Sequence, residues 1–424
     1  MKLEIVVSGK AVNGTVLAPP SKSYTHRAMT LAMLAEGESV IERPLLGGDT
    51  LATLAAVRAF GRPAVLKGEE LHIQGGQLSC PEDVINAANS GTTFRLMMGV
   101  ASLLPGHTVL TGDASIRRRP MKPLIDALQQ LGVECHSTRG NGLAPVIVRG
   151  PNRGRKASIR GDISSQFITS LLISSALKEV DTDIEIVGEL HSKPYLDITL
   201  RMMREFGAEA QETPTGFHIK GGQRYRPRKF RVPGDYSSAA FPLAAGALAG
   251  SVTVDGLLER DEQGDKAILD LLTRFGAKVH REGEKVTVQK GKMVGIDIDL
   301  GHVPDLFPIL AVIATQSWGR TVIRNAEHVR LKESDRIATT IAMLNALGCS
   351  VEERLDGCII DGPVQLQGGV VESHDDHRIM MAASVAALVA AGPVRVKQAE
   401  CHTISYPGFI EDLRHLGALV EVIP

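Results

Sequence analysis

Six cations of this chain stand where a helix would ordinarily reject them. Lys22, Arg119, Lys193, Lys332, Arg336 and Arg378 each lie in or beside a polar loop that opens a helical pattern. A helix N-terminus carries partial positive charge and unpaired N–H groups, so a cation there costs stability unless an anion offsets it. The loops before the first helices hold Lys22-Ser23, Asn89-Ser90-Gly91-Thr92, Ser164-Ser165-Gln166, Tyr236-Ser237-Ser238, Pro304-Asp305 and Asp376-His377-Arg378. Those before the second helices hold Arg117-Arg118-Arg119-Pro120, Ser192-Lys193-Pro194-Tyr195 and Lys332-Glu333-Ser334-Asp335-Arg336. N-capping accounts for any one of them. Together with the cations they point to a cleft where several helix N-termini converge on a substrate with several negative charges. Phosphate plus carboxylate is the natural pair, and arginine supplies bidentate geometry.

The elements that must position these loops recur six times. Phe60-Gly61, Leu131-Gly132, Phe206-Gly207, Phe275-Gly276, Leu347-Gly348 and Leu416-Gly417 each end a helical pattern, at spacings of 71, 75, 69, 72 and 69 residues. Each glycine sits where a helix C-cap wants a left-handed residue. Between them runs a common layout: polar loop, helix rich in small apolar residues, strand, second polar loop, amphipathic helix, glycine, one or two strands. This predicts an α/β chain of six βαβαββ units in two globular domains of three units each. Pro-containing breakers at Ala18-Pro19-Pro20 and Val232-Pro233-Gly234 mark the crossings. One domain is then 20–232. The other is 1–19 with 233–424, and takes a short first strand from Met1 to about Leu17. The basic run Arg224–Arg231 reads as a solvated loop, and the apolar stretches Ser237–Val254 and Ile379–Val394 read as buried helices.

Composition narrows the function classes. Of 424 residues, 43% are hydrophobic and 22% charged, as in an ordinary soluble protein, and the net charge of −1 offers no global field for nucleic acid or membrane. The five cysteines are scattered and form no CxxC pair, which argues against a disulfide framework or a zinc site and fits a reducing compartment. The start, MKLEIVVSGK, lacks a signal-peptide core, so a cytoplasmic protein is expected. Arg117–Arg119 is a poor nucleic-acid patch without aromatic neighbours. His374-Asp375-Asp376-His377 could hold a metal but suits a helix cap or substrate contact better. Gly47-Gly48-Asp49-Thr50 reads as a loop and helix cap. No Walker A loop, dinucleotide fingerprint or GxSxG elbow is present.

A family resemblance rests on motifs in order along the whole chain. These are Pro20-Ser21-Lys22-Ser23 with Arg27, Asn89-Ser90-Gly91-Thr92-Thr93 with Arg95, Arg119-Pro120-Met121, Ser164-Ser165-Gln166-Phe167, Ser192-Lys193-Pro194-Tyr195, Pro304-Asp305, Leu331-Lys332-Glu333-Ser334-Asp335-Arg336 and Asp376-His377-Arg378. The chain resembles the EPSP synthase family of enolpyruvyl transferases. The resemblance implies two domains of three βαβαββ units, an inside-out, barrel-like α/β fold with helix N-termini facing an interdomain cleft. It implies transfer of the enolpyruvyl group of phosphoenolpyruvate to the 5-hydroxyl of shikimate 3-phosphate, in aromatic amino acid biosynthesis, by a monomer without metal or cofactor. Shikimate 3-phosphate would meet Lys22, Ser23, Arg27, Ser164, Ser165, Gln166, Ser192, Tyr195, Asp305, His328 and Lys332. Phosphoenolpyruvate would meet Lys22, Gly91, Arg119, Gln166, Arg336 and Arg378. Asp305, Glu333 and Lys22 would carry the proton transfers. Residues 20–232 would mainly bind shikimate 3-phosphate, and the other domain would hold the phosphoenolpyruvate clamp and the catalytic carboxylates.

The chain departs from the family pattern at Ile404, where many relatives have Lys, and at Ser90 and Leu96, where several have Ala and Pro. The last two bear on the family's inhibitor glyphosate. The rival within the fold transfers enolpyruvyl to UDP-N-acetylglucosamine, but its loop cysteine has no counterpart in Asp113–Met121. An RNA 3′-phosphate cyclase relative would need a basic or aromatic surface that the sequence lacks. A non-catalytic anion-binding relative would have no need of Asp305, Glu333 and Lys22.

Overall fold

In the structure, a computed structural model, residues 3–9 and 11–423 are described. The chain divides into two compact units, Pro20–Val232 and Met1–Pro19 with Pro233–Pro424. The first holds α1 (Lys22–Leu34), α2 (Gly48–Ala59), α3 (Gly91–Ala101), α4 (Lys122–Gln130), α5 (Ser165–Ser175) and α6 (Lys193–Glu205). The second holds α7 (Tyr236–Ala249), α8 (Ile268–Phe275), α9 (Phe307–Thr315), α10 (Arg336–Ala346), α11 (His377–Ala387) and α12 (Phe409–His415).

Among the described residues, six four-stranded mixed sheets accompany the twelve α-helices, one sheet per repeat. In the third repeat, Lys156–Arg160 pairs parallel with Thr182–Val187, across α5. Thr182–Val187 then pairs antiparallel with the hairpin strand Gly216–Ile219. The six helix-ending glycines all take positive φ, from 79° at Gly61 to 105° at Gly417, a region that glycine enters without a Cβ penalty.

Burial places the helices inside and the sheets outside. Strands such as Lys156–Arg160 and Lys285–Gln289 alternate buried and exposed positions, so each covers helices with one face and meets water with the other. The first helix of each repeat is instead buried on nearly all sides; in α7 every residue from Tyr236 to Leu248 is buried. Its Ala, Gly and Ser side chains allow that crowding. Each unit has its own apolar core. No helix among the described residues is long and apolar enough to cross a membrane.

Three expectations need correction. The N-terminal segment forms two strands, not one, and they join different sheets. Glu4–Ser8 lies between Val394–Lys397 and Leu419–Ile423, and Val12–Leu17 pairs parallel with Gly250–Asp255. The sixth repeat has a single strand after α12 and the fourth has none before α7, so each borrows one. The basic run is likewise part strand: Lys229–Arg231 pairs parallel with Glu38–Glu42 and completes the first sheet, with Phe230 buried and Lys229 held by Glu42 and Glu70. The apolar stretch Ser237–Val254 is a helix followed by a strand, with α7 giving way at Gly250, while Ile379–Val394 is the buried helix α11 and a turn that reaches a strand only at Val394. Apolarity alone does not separate a buried helix from a buried strand.

Candidate active site

In the Pro20–Val232 unit the expected residues lie at helix N-termini. Lys22 and Ser23 open α1, Gly91 opens α3, and Ser165 opens α5 behind its N-cap Ser164. Ser192 caps α6 in the left-handed region at φ 57°, two residues before Pro194 and three before Tyr195. Side chains tie these ends together. Gln166 accepts from Arg95 Nη1 at 2.5 Å and donates to Thr92 Oγ1 at 2.9 Å, joining α5 to α3. Arg27 on α1 donates to Thr199 Oγ1 at 2.8 Å, Ser23 O at 2.9 Å, Tyr195 O at 2.9 Å and Thr169 Oγ1 at 3.4 Å. All these acceptors are neutral, and burial pulls the Arg27 guanidinium down to about 10. Its visible work is fastening α1 to α5 and α6.

The α3 terminus has the strongest anion-binding character. A Cβ built on Gly91 would lie 3.0 Å from Arg119 Nη1 and 3.1 Å from Arg95 Nη1. Two guanidinium groups therefore close over a glycine at a helix N-terminus. Arg119 donates only to neutral oxygens, Asn89 Oδ1 at 2.7 Å and Ser115 Oγ at 3.0 Å, and its buried Nε has no hydrogen-bond partner among the described residues. Arg95 also stacks over Phe167, 5.0 Å from the ring centre. A helix N-terminus, two arginines and, among the described residues, an absence of carboxylate partners at Arg119 make a setting suited to an anion such as phosphate.

In the other unit the same kind of helix ends carry carboxylates. Asp305 lies in the 3-10 turn Pro304–Leu306 ahead of α9, Arg336 opens α10, and Arg378 is the second residue of α11. One Asp305 oxygen takes Arg336 Nη1 at 2.7 Å and the other takes Arg378 Nη2 at 2.8 Å, with Lys332 Nζ at 3.8 Å. Arg336 is almost wholly buried and also reaches Glu333 at 2.7 Å and Asp376 at 2.9 Å. Asp376 doubles as the N-cap of α11. Burial alone would raise the Asp305 carboxyl, but Arg378, then Lys332 and Arg336, hold it well below the usual carboxylate range. Arg336 is held well above its usual range by Asp376, Glu333 and Asp305 against the effect of burial. His328 is buried in the adjoining 3-10 turn Glu327–Leu331.

Five of the six cations have carboxylate partners within the protein. Lys22 pairs with Asp49 at 3.0 Å, and Lys193 with Asp197 at 2.8 Å and Glu212 at 3.5 Å. Arg336, Arg378 and Lys332 face the carboxylates just named. Only at Arg119 are the partners neutral. Lys22–Asp49, Arg336–Asp305 and Arg378–Asp305 are made across the fold and are invisible in local spacing, whereas Lys193–Asp197 and Arg336–Glu333 lie four and three residues apart. Asp49 and Asp265 were also missed by the sequence reading. Asp49, read as a cap, is the counter-ion of Lys22; Asp265, buried, accepts from Ser237 Oγ and is pushed up to about 7 by burial and by Asp305. No group of three or more His, Cys, Asp or Glu among the described residues is placed to hold a metal ion.

Two units, each built on three four-stranded sheets with paired helices, share the architecture of the enolpyruvyl transferases. The family profile of EPSP synthase (3-phosphoshikimate 1-carboxyvinyltransferase) matches residues 6–413, and the chain belongs to that family. It is 50% identical to the 3-phosphoshikimate 1-carboxyvinyltransferase of Methanocella arvoryzae and 48% identical to that of Methanocorpusculum labreanum, in each case over 98% of this chain and 99% of the relative. Among solved structures it is similar to EPSP synthase from Acinetobacter baumannii, at 28% identity and a TM-score of 0.84 over the whole of both chains. The enolpyruvyl transferase NikO from Streptomyces tendae, at 19% identity and a TM-score of 0.80, shares the fold.

Proposed function

We propose that the chain transfers the enolpyruvyl group of phosphoenolpyruvate to the 5-hydroxyl of shikimate 3-phosphate and releases phosphate. The observation that carries this reading is the pair of guanidinium groups, Arg119 and Arg95, over Gly91 at the α3 N-terminus, in a chain that belongs to the EPSP synthase family. Gly91 and Arg119 take the phosphate of phosphoenolpyruvate, and Arg336 and Arg378 its carboxylate. Lys22 and Gln166 serve both substrates. Ser164, Ser165 and Ser192 take the 3-phosphate of the acceptor, and Ser23, Arg27 and Tyr195 border its ring. Asp305, Lys332 and His328 meet its hydroxyl side. Pro20–Val232 is thus mainly the shikimate 3-phosphate half, and the other unit carries the carboxylate clamp and Asp305 and Glu333.

The chemistry is addition followed by elimination. Asp305 accepts the proton of the 5-hydroxyl as its oxygen bonds to the second carbon of phosphoenolpyruvate. Glu333, aided by Lys22, gives a proton to the methylene carbon and takes one back as phosphate leaves, restoring the double bond, and the proton taken from the hydroxyl by Asp305 leaves with the phosphate. A placed acid and base typically contribute about 10²–10⁴-fold, and the clustered cations stabilise the charged intermediate and the departing phosphate. The protein acts as a cytoplasmic monomer, which light scattering on the purified chain tests for mass.

The deciding experiment is phosphate release with phosphoenolpyruvate and either shikimate 3-phosphate or UDP-N-acetylglucosamine. Release with shikimate 3-phosphate alone, and the enolpyruvyl ether seen by phosphorus NMR, is the expected result. Release with the nucleotide sugar, or with neither, refutes the reading.

A further inference from the structure

Behind the α3 terminus a buried run of hydrogen bonds joins three helices. His26 Nδ1 on α1 lies 2.7 Å from Thr53 Oγ1 on α2. Thr53 Oγ1 lies 2.6 Å from Thr93 Oγ1 on α3, and Thr93 Oγ1 lies 2.7 Å from the Oγ of Ser90, the α3 N-cap. All four residues are 0% exposed. Ser90 Oγ also accepts the Thr93 N–H at 3.1 Å, and Thr93 Oγ1 lies 3.2 Å from the backbone oxygen of Asp49, whose carboxylate holds Lys22. One polar chain thus connects the cap beneath Gly91 with the residue that holds Lys22.

The chain has a direction. Burial, then Lys22 and Arg27, keep the His26 ring well below its usual range, so it is neutral and carries one N–H. Its Nε2 is buried with no partner among the described residues. A proton there would be an unmet buried donor, so the proton sits on Nδ1 and is donated to Thr53. Thr53 then donates to Thr93, and Thr93 shares its one proton between Ser90 Oγ at 2.7 Å and the Asp49 carbonyl oxygen at 3.2 Å. Each link turns the positive end of its dipole toward the α3 N-terminus, and such links strengthen one another in a low-dielectric interior.

We infer that His26, Thr53 and Thr93 are positioning residues for the anion bound at Gly91: they fix the Ser90 cap, and with it the first N–H groups of α3, relative to Asp49 and Lys22. They do not touch the substrate. The inference rests on the phosphate being held at Gly91, and it goes beyond that reading in giving phosphate affinity a source in the interior of the unit.

The test compares wild type with Thr53→Val, which removes one hydroxyl at nearly constant shape, Thr53→Ser, which keeps it, and His26→Leu, which breaks the chain at its far end. Steady-state constants for both substrates, melting temperature, and binding of inorganic phosphate to the free protein are measured. Thr53→Val should raise KM for phosphoenolpyruvate and Kd for phosphate about fivefold or more, the size of one lost hydrogen bond. KM for shikimate 3-phosphate should stay within about twofold, and Thr53→Ser should return to wild type. His26→Leu should shift the same two constants in the same direction. Unchanged phosphate binding in a folded Thr53→Val, equal changes in both KM values alongside a fallen melting temperature, or no rescue by Ser would overturn the inference. Phosphate binding needs no turnover. A wild type that binds phosphate but does not turn over sinks the proposed reaction and leaves this test able to run.

Discussion

Asp305→Asn separates the two tasks assigned to this carboxylate. In the structure three cations, Arg336, Arg378 and Lys332, face three carboxylates, Asp305, Glu333 and Asp376. The amide leaves one positive charge in excess and removes the proposed base. At about 5 Å and an effective dielectric near 20, one charge acting on an incoming carboxylate is worth roughly 3 kcal/mol. Partial exposure and salt reduce that to about 1–2 kcal/mol, or roughly five- to thirtyfold in affinity. Loss of the base should cost about 10²–10⁴-fold in turnover. The two effects run in opposite directions: phosphoenolpyruvate should bind more tightly while kcat collapses. Calorimetric titration with phosphoenolpyruvate and a phosphate-release assay read them separately. The fold should survive, because Arg336 keeps Asp376 and Glu333, and Arg378 keeps the Ser237 carbonyl at 3.4 Å. A kcat within tenfold of wild type, or weaker phosphoenolpyruvate binding, would refute the reasoning.

Other substitutions test neighbouring parts of the argument. Arg27→Met strips four donated bonds from the α1, α5 and α6 junction and should destabilise the protein by roughly 2–4 kcal/mol in denaturant titration; unaltered stability would mean that Arg27 works only through substrate. Arg119→Gln should raise KM for phosphoenolpyruvate at least tenfold and leave KM for shikimate 3-phosphate nearly constant, and a reversed pattern would move the phosphate away from Gly91. Asp265 carries a pH signature. Its folded value of about 7 exceeds the ordinary 3.8, so its neutral form is favoured by folding and its contribution is lost as pH rises from about 4 to about 7. Asp265→Asn should therefore gain in melting temperature relative to wild type at pH 8 compared with pH 5, and a difference independent of pH would show that the carboxyl is already ionised.

The repeat was legible because it is a local signal. A left-handed glycine after a large apolar residue needs only its own helix to be recognised, and all six took the expected conformation. The helix-end motifs were legible for the same reason. What escaped the sequence depends on partners far along the chain. Glu4–Ser8 and Val12–Leu17 are ordinary strands by pattern, but nothing in their residues says that one completes the last sheet and the other the fourth. Arg336 meets Asp376 forty positions away, and Lys22 meets Asp49 across two helices. In these two pairs spacing brings out the cation and hides its counter-charge. Asp265 is one acidic residue among many until burial beside Asp305 makes it a weak acid.

The partner charges also explain why the two anion-binding ends should behave differently. Arg119 is held by neutral oxygens, so a phosphate arriving at Gly91 displaces no carboxylate and finds its donors in place. Arg336 and Arg378 are instead paired with Asp305, and in the proposed role a substrate carboxylate has to take them over. That exchange has a chemical consequence under the roles proposed above. While both arginines grip Asp305, its carboxyl is held far down and is a poor base. When they turn to the substrate carboxylate, the groups that depress it are partly neutralised, and its basicity rises toward the range useful for accepting a hydroxyl proton. Asp305 would then become an effective base only in the presence of the substrate whose addition it serves. A pH profile of kcat/KM for the acceptor hydroxyl reads this directly: its acidic limb should lie higher when phosphoenolpyruvate saturates the protein than the limb for phosphoenolpyruvate binding to the free protein. Coincident limbs would mean that the clamp arginines stay on Asp305 throughout.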